Sequence, residues 1–406
     1  MSKLDDLINE LCPNGVEYKK IGEVCEISRG IVMSKDFIRD NLGDYPVYSS
    51  QTENDGCLGN INTYKYDGEY LTWTTDGANA GTVFYRNGKF SVTNVCGLLK
   101  VINENLTTKF LFYALNIEAP KHVNRGMGNA KLMSNVMDAI SIPVPPLSVQ
   151  CEIVRILDNF TELTAELTAE LTARKKQYEY YRDSLLTFKT EIPRVKLGDI
   201  ATEIYRGSGI KKDEVTLDGI PCVRYGEIYT KYNIWFDSCV SHTKLEYVSS
   251  PKYFEYGDIL FAITGESVED IAKSIAYVGK EKCLAGGDIV VMKHKQNPKY
   301  LSYALSTVDA IKQKGKGKVK SKVVHSSVPA IQDIEIPLPP LEIQERIVNV
   351  LDNFDAICSD LKIGLPAEID ARKKQYEYYR DLLLRFEPLG TNIATHTHTH
   401  THTRGN

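Results

Sequence analysis

Two tryptophans in 406 residues, and no Cys-x-x-Cys pair among nine cysteines, mark this chain first by what it lacks. Cysteines so spread form neither a disulfide framework nor a zinc site, and they suit a reducing compartment. No apolar run approaches a membrane span, and the opening MSKLDDLINELCP has no hydrophobic centre of a signal peptide. A soluble, cytoplasmic protein is expected. GxxxxGK[ST] and HExxH are missing, as is GxSxG between a strand and a helix. The P-loop, zinc-protease and α/β-hydrolase readings therefore have no residues to rest on. Excess positive charge is also absent: the net charge is −4, so any contact with a polyanion depends on where cations cluster. The remaining composition, 42% hydrophobic and 25% charged, is that of a globular chain long enough for two or three domains.

What is present is repetition. RKKQYEYYRD at 174–183 returns letter for letter at 372–381, a helical composition without Gly, Pro or β-branched residues. IPVPPL (142–147) returns as IPLPPL (336–341), and LDNF (157–160) as LDNF (351–354). KFLFYAL (109–115) echoes KYLSYAL (299–305), and KKIGEV (19–24) echoes VKLGDI (195–200). The order of landmarks is kept while their spacing drifts, which reads as module, long helix, module, long helix.

Each module, about 20–141 and 196–335, mixes β-branched and aromatic runs with Asp-Gly and Asn-Gly turns, followed by a short helix, the signature of an α+β domain. The double proline sets a firm helix start, and 148–188 reads as one helix about 60 Å long. Ile153, Ile156, Phe160, Leu163, Leu167 and Leu171 recur every three or four residues, then Tyr178, Tyr181 and Leu185, the pattern of a coiled-coil seam. TELTAELTAEL (161–171) repeats every four residues, which acts as a stutter in that seam. In the second copy Gly364-Leu365-Pro366 predicts a break. The THTHTHTHT tail (395–403) reads as a low-complexity end without a role.

Candidate chemistry is sparse. Asn297-Pro298-Lys299-Tyr300 resembles an amino-group-holding motif of base methyltransferases, but its duplicate is Thr-Thr-Lys-Phe, and a helix start explains both. Gly126-Met127-Gly128 and Gly315-Lys316-Gly317 do not complete GxGxxG and follow helices. These two stretches are instead basic: Arg125 and Lys131 in the first module, and Lys312, Lys314, Lys316, Lys318, Lys320 and Lys322 in the second. If extended, the second puts all six lysines on one face, which suits a phosphate backbone or, failing that, a solvated loop. Base reading needs polar side chains on turns nearby. The candidates are Tyr48, Ser49, Ser50, Gln51, Trp73, Thr74, Thr75 and Asn79 in the first module. In the second they are Arg224, Tyr225, Glu227, Thr264, Glu266 and Ser267. Each alone is as compatible with a turn-stabilising role; together they are where the modules differ most.

The duplicated order IPVPPL, LDNF, TAEL, RKKQYEYYRD resembles the specificity subunits of type I restriction–modification enzymes over nearly the whole chain. The resemblance implies an α+β fold of two mixed α/β target-recognition domains separated by two long antiparallel coiled-coil helices, a pseudo-twofold internal repeat. The corresponding boundaries are 1–146 and 191–340 for the recognition domains, 147–190 and 341–388 for the helical spacers, and 389–406 for a disordered tail. It further implies recognition of a bipartite, asymmetric site on double-stranded DNA, with the helices as a ruler. Each added TAEL unit would lengthen the ruler by about 6 Å, one or two base-pair steps. Two methyltransferase subunits, carrying S-adenosylmethionine, and motor–nuclease restriction subunits would be the partners. The chain itself would have no catalytic residue, cofactor or metal. Tyr178, Tyr181, Leu185, Tyr376, Tyr379 and Leu383 are candidates for partner contact, with packing between the helices as the plainer reading. Two further readings stay open: a self-contained adenine methyltransferase–restriction polypeptide, and a coiled-coil adaptor without a DNA role.

Overall fold

The computed structural model describes residues 3–126, 128–188, 192–265, 267, 270–315, 318–320, 323–359 and 363–390. It divides into two compact units, Met1–Glu166 with Ile369–Asn406, and Leu167–Glu368. Each unit therefore joins one module to helical segments from both repeats.

In the first unit the strands β1 (Cys25–Arg29), β2 (Leu42–Tyr48), β3 (Cys57–Ile61), β4 (Tyr66–Thr74), β5 (Val83–Val92) and β6 (Cys96–Val101) form one six-stranded sheet. Its order is β1-β6-β4-β5-β2-β3. β2 runs parallel to β5, and the other pairs are antiparallel. The helix α1 (Thr108–Glu118) starts at Thr107, whose hydroxyl accepts from the Phe110 N–H. It buries Phe110, Leu111, Tyr113 and Leu115 among Trp73, Leu71 and Leu99. Gly97 is obligatory there, because a Cβ on it would stand 2.3 Å from the Trp73 ring.

The second unit repeats this plan in shorter strands. β7 (Ala201–Arg206), β8 (Trp235–Phe236), β9 (Ile259–Ala262), β10 (Ser274–Tyr277) and β11 (Ile289–His294) are ordered β7-β11-β9-β10-β8. β8 is parallel to β10 and the rest are antiparallel. First strand beside last, then the two middle strands, then a parallel neighbour: the topology is that of the first unit despite little shared sequence. Helices α3 (Pro298–Ala304) and α4 (Val308–Lys314) follow.

The long helix α2 is continuous from Leu147 to Leu186, 40 residues, or about 60 Å. The second copy is split into α5 (Leu341–Ser359) and α6 (Leu365–Leu383). The break falls where Gly364-Leu365-Pro366 foretells it, and the Gly364 carbonyl accepts from Ala367 and Glu368 to start α6. The continuous seam expected along α2 needs correction. Ile153 and Leu157 are fully buried, but no residue from 161 to 177 is, and Leu163 is 45% exposed. Each four-residue step advances the apolar position by about 40° round the helix, so Leu163, Leu167 and Leu171 drift progressively away from a fixed seam.

The repeated words are contacts with one another. Lys19 of KKIGEV pairs with Ile142 of IPVPPL in a two-stranded ladder, as Val195 pairs with Ile336. Asp158 of LDNF accepts from Lys109 Nζ (2.6 Å) and the Tyr113 hydroxyl (2.7 Å) of KFLFYAL. Asp352 does the same for Lys299 (2.6 Å) and Tyr303 (2.7 Å) of KYLSYAL. Gln150 and Gln344 are buried at the helix starts, where their amides donate to the carbonyls of Pro145 and Pro339. Phe160 stacks on Tyr379 in the first unit, and Phe354 on Tyr181 in the second, with ring centroids 5.5 Å apart in both. Each unit thus takes LDNF from one repeat and the decapeptide from the other.

Candidate nucleic-acid interface

At one end of the first sheet, the end of β2 meets the end of β5, with Tyr48 beside Val92, and the end of β4 meets the start of β6, with Thr74 beside Cys96. The loops there are stitched together by short polar side chains. Ser50 Oγ and Thr75 Oγ1 both donate to the Val95 carbonyl, and Ser50 also reaches Asp76 Oδ1 (3.3 Å). Thr93 Oγ1 donates to Ser49 Oγ (3.0 Å), and Asn79 Nδ2 to Thr52 Oγ1 (2.8 Å). Gln51 Nε2 donates to the Cys57 carbonyl. The basic loop joins the same end: Asn124 and Lys131 pair across its neck, Gly77 donates to the Ala130 carbonyl, and Leu132 to that of Thr75. Arg125, Lys131 and Asn79 are exposed. Ser49, Ser50, Gln51, Asn79, Arg125 and Lys131, scattered over 83 positions of sequence, therefore share one rim.

Three sequence candidates are corrected. Trp73 is 0% exposed, and its indole N–H donates to the Leu132 carbonyl (3.0 Å). Thr74 and Thr75 are buried, their hydroxyls spent on the Asn79 and Val95 carbonyls. These residues hold the rim from beneath and present nothing to a base. A residue without any motif shapes the rim instead. Arg86 is 3% exposed, stacks 3.6 Å over the Tyr48 ring, and donates to Thr72 Oγ1 (3.1 Å) and the Asp55 carbonyl (2.7 Å). It also pairs with the Asp55 carboxylate. Asn54 and Asp55 stand at φ 49° and 52°, a conformation these two residue types tolerate best after glycine. An arginine inside a strand pattern gives no sequence signal for such a brace.

In the second unit the corresponding sheet end carries Arg206–Ser208, Ile263–Gly265 and Gly286–Asp288, joined by Ile263 N–H to Asp288 O and Ser208 N–H to Ala285 O. A cleft of about 850 Å³ opens here between Gly286, Gly287, Lys212, Lys231, Arg224 and Tyr225. Arg224 Nε is buried without a hydrogen-bond partner, while Nη2 leans on Glu227 (3.3 Å). Tyr225 is 40% exposed. Glu227 is a correction: 6% exposed, it accepts from the Arg224 N–H and the Ser241 hydroxyl and caps its own short helix. Ser267 is tied to Asp270 by Oγ to Oδ2 (2.8 Å) and N–H to Oγ (3.1 Å). Glu266 lies outside the described residues.

The single face of six lysines is corrected as well. Lys312 and Lys314 belong to α4, which Thr307 caps by accepting from the Ala310 N–H. The strand Lys318–Lys320 pairs with Val323–His325, which pairs in turn with Thr264–Gly265. Lys318, Lys320 and Thr264 thus share a small sheet, with Thr264 Oγ1 3.3 Å from His325 Nδ1. Lys316 and Lys322 lie outside the described residues. No group of three or more metal-ligating side chains occurs among the described residues, and no helix there is long and apolar enough to cross a membrane.

The family model for the type I restriction modification DNA specificity domain matches twice, at residues 13–174 and 191–371. The chain is 35% identical over 372 residues to a Mycoplasma pneumoniae protein assigned as a type I specificity subunit, S.MpnORF507P, covering 90% of this chain and 97% of that one. The chain belongs to the type I specificity-subunit family. Its fold resembles the S subunit of a type I restriction–modification system from M. genitalium, at 16% identity and a TM-score of 0.52, covering 91% of this chain and 95% of that one. It also resembles a chain solved in work on complex assembly and conformational transition of the type I system, with TM-score 0.61, 15% identity, and 92% and 98% covered.

In this specificity-subunit chain the helical words divide differently from expectation. Tyr178 is 9% exposed in the core of the second unit, and Leu185 packs beside it. Tyr376 and Leu383 pack in the first. Burial raises the Tyr178 and Tyr376 hydroxyls above their ordinary range. Tyr181 and Tyr379 are taken up by stacking on Phe354 and Phe160. Five of these six pack within their own units, and Tyr181 stacks on Phe354 while staying 40% exposed. The outward tyrosines of the two copies are Tyr180 and Tyr378, 69% and 65% exposed.

Proposed function

We propose that the chain is the DNA sequence-specificity subunit of a type I restriction–modification complex, in which each unit reads one half of a bipartite, asymmetric site. Ser49, Ser50, Gln51, Asn79, Arg125 and Lys131 form the reading rim of the first unit. Arg224, Tyr225, Thr264 and Ser267, with the lysine-bearing strand, form that of the second. The observation that carries this reading is one sheet topology and one Asp–Lys–Tyr joint built twice beneath loops of unlike chemistry. A repeated scaffold with divergent rims is what two different half-sites require. The helix running from the first unit into the second serves as the spacer.

The chemistry belongs to partners in this reading. Two methyltransferase subunits bring S-adenosylmethionine and act on adenine, motor–nuclease subunits cut, and this cytoplasmic chain contributes recognition and a scaffold without a catalytic residue. Tyr180 and Tyr378, equivalent and exposed, are helical residues available to a partner. Co-expression with a matching methyltransferase and mapping of methylated adenines tests the whole reading. The expected result is a split motif with an unread gap, altered in one half only when one unit's rim is altered. Methylation of a contiguous motif, or methylation independent of this chain, overturns it. Binding of S-adenosylmethionine by the purified chain alone would favour a self-contained enzyme.

A further inference from the structure

Beneath α4 lies a cavity of about 230 Å³, within the second unit and away from the rim loops 206–208 and 286–288. Its lining includes Arg182, Asn233, Lys273, Ser274, Ser306 and Lys314. Lys314 is 7% exposed, and its ammonium has one acceptor, Ser274 Oγ at 2.9 Å. Lys273 Nζ donates to the Tyr232 carbonyl (3.1 Å). Arg182, from the decapeptide, pairs with Asp183 (3.0 Å) and keeps 13% of its side chain exposed. One carboxylate, Asp270, also lines the cavity, and Asp355 stands behind Asn233 as its hydrogen-bond acceptor (2.9 Å).

With Arg182 paired to Asp183 and one carboxylate, Asp270, in the lining, the two lysines still leave excess positive charge, which is costly because burial removes the water that would solvate it. The cost is visible in Lys314: burial first, and Lys273 second, bring its pKa down from 10.5 to about 7. Lys273 is also lowered by burial, with Asp270 opposing. An apolar side chain such as methionine in place of Lys314 would fill the same space at less cost. Ser306 Oγ donates to the Tyr303 carbonyl (2.7 Å), so the remaining donors are the Ser274 hydroxyl and the second N–H of the Asn233 amide, which suit an acceptor-rich guest. The volume is several times the roughly 30 Å³ that a water molecule occupies, which leaves room for a tetrahedral oxyanion.

We propose that this cavity is an anion site for a phosphate-type group, held by Lys314, Lys273 and Arg182. Its guest is either a free oxyanion or a backbone phosphate of bound DNA, since both present the same tetrahedral oxygens.

Sulfate is the discriminating probe because it carries the tetrahedral dianion without titrating near neutrality. Calorimetric titration of the full chain with sulfate at pH 8, at constant ionic strength and in buffers of different ionisation enthalpy, should give saturable binding of one equivalent. It should also give uptake of close to one proton, as an anion draws Lys314 back to its charged form. Lys314→Met should weaken binding at least tenfold and abolish the uptake; Lys273→Met should weaken binding and leave uptake in place, which guards against a misfolded first variant. Absence of saturable binding, or binding unaltered in a folded Lys314→Met chain, overturns the proposal. Displacement of sulfate by a random-sequence duplex assigns the seat to backbone phosphate, and simultaneous binding assigns it to a free anion.

Discussion

A polar side chain beside a loop can read a ligand or hold the loop, and burial separates the two roles in this chain. Trp73 and Asn79 lie six positions apart, the first wholly buried and the second exposed. Trp73→Ala should cost about 3–5 kcal/mol of stability through the cavity it leaves. Asn79→Ala should leave the melting temperature within a degree or two and alter methylation at one half-site. Thermal unfolding read beside methylation mapping checks both, and equal melting losses would refute the division. His294 gives a residue-scale pH dependence. Burial lowers its pKa from 6.5 to about 4, and it takes a hydrogen bond from the Gln296 N–H (3.0 Å) in its neutral form. Between those values the unfolded chain binds more protons than the folded one, so stability falls as pH drops from about 6.5 to 4. Denaturant midpoints across that range should show the fall, and His294→Gln should flatten it. The rims were legible in sequence as places but not as side chains. Turn composition located 48–51, 74–79 and 123–132, whereas the exposure of Asn79 and the burial of Thr74 and Thr75 follow from strand ends that no local pattern marks.

At the scale of elements, the sequence words were legible because each is a contact. Residues that must meet cannot drift independently, so LDNF and KFLFYAL kept their matching groups while the loops between them diverged. The split in the second helix was legible for a local reason, Gly364 and Pro366. The exposure of α2 between 161 and 177 was missed because a four-residue period satisfies a helical pattern over two turns and fails over four. The two joints are alike in partners but unequal in setting. Asp158 and Lys109 keep 37% and 42% of their side chains exposed, where solvent screens the pair. Asp352 and Lys299 keep 26% and 23%, and Asp352 also accepts from the Trp235 indole (3.2 Å), with Lys299 3.6 Å over that ring. Asp352→Ala should therefore cost about 2–3 kcal/mol, against roughly 1 for Asp158→Ala. Urea unfolding of the two variants decides it, and equal losses would mean that exposure does not govern the joint. The outward tyrosines give the companion test. Tyr180→Ala with Tyr378→Ala should leave the circular dichroism spectrum intact and weaken association with methyltransferase subunits tenfold or more; unchanged co-purification would exclude this face.

For the whole molecule, the decisive fact is that the first unit is not contiguous. Its core takes Leu384 as a buried member, with Tyr376, Leu383 and Phe386 packed alongside. Val16 exchanges backbone hydrogen bonds with this returning segment: its N–H donates to Glu387 O (2.9 Å), and its carbonyl accepts from the Leu389 N–H (2.9 Å). The Tyr18 hydroxyl donates to the Phe386 carbonyl (2.9 Å). Phe160 stacks on Tyr379. A chain ended after Glu368 loses all of these from the N-terminal module and keeps every residue of the unit Leu167–Glu368. Removing four large apolar side chains from one core, at about 2–5 kcal/mol each when fully buried, costs an amount comparable to the roughly 5–15 kcal/mol by which ordinary domains are stable. Hydrogen exchange should then show protection lost in β4, β5 and β6, while β9, β10 and β11 keep theirs. Loss in both sheets would mean that the units fold as one body, and retention in both would mean that the returning segment is only an appendage. The predicted asymmetry bears on recognition itself. If the last helix stabilises the first reader, a truncation far from the N-terminal rim erases that half-site and leaves the other readable.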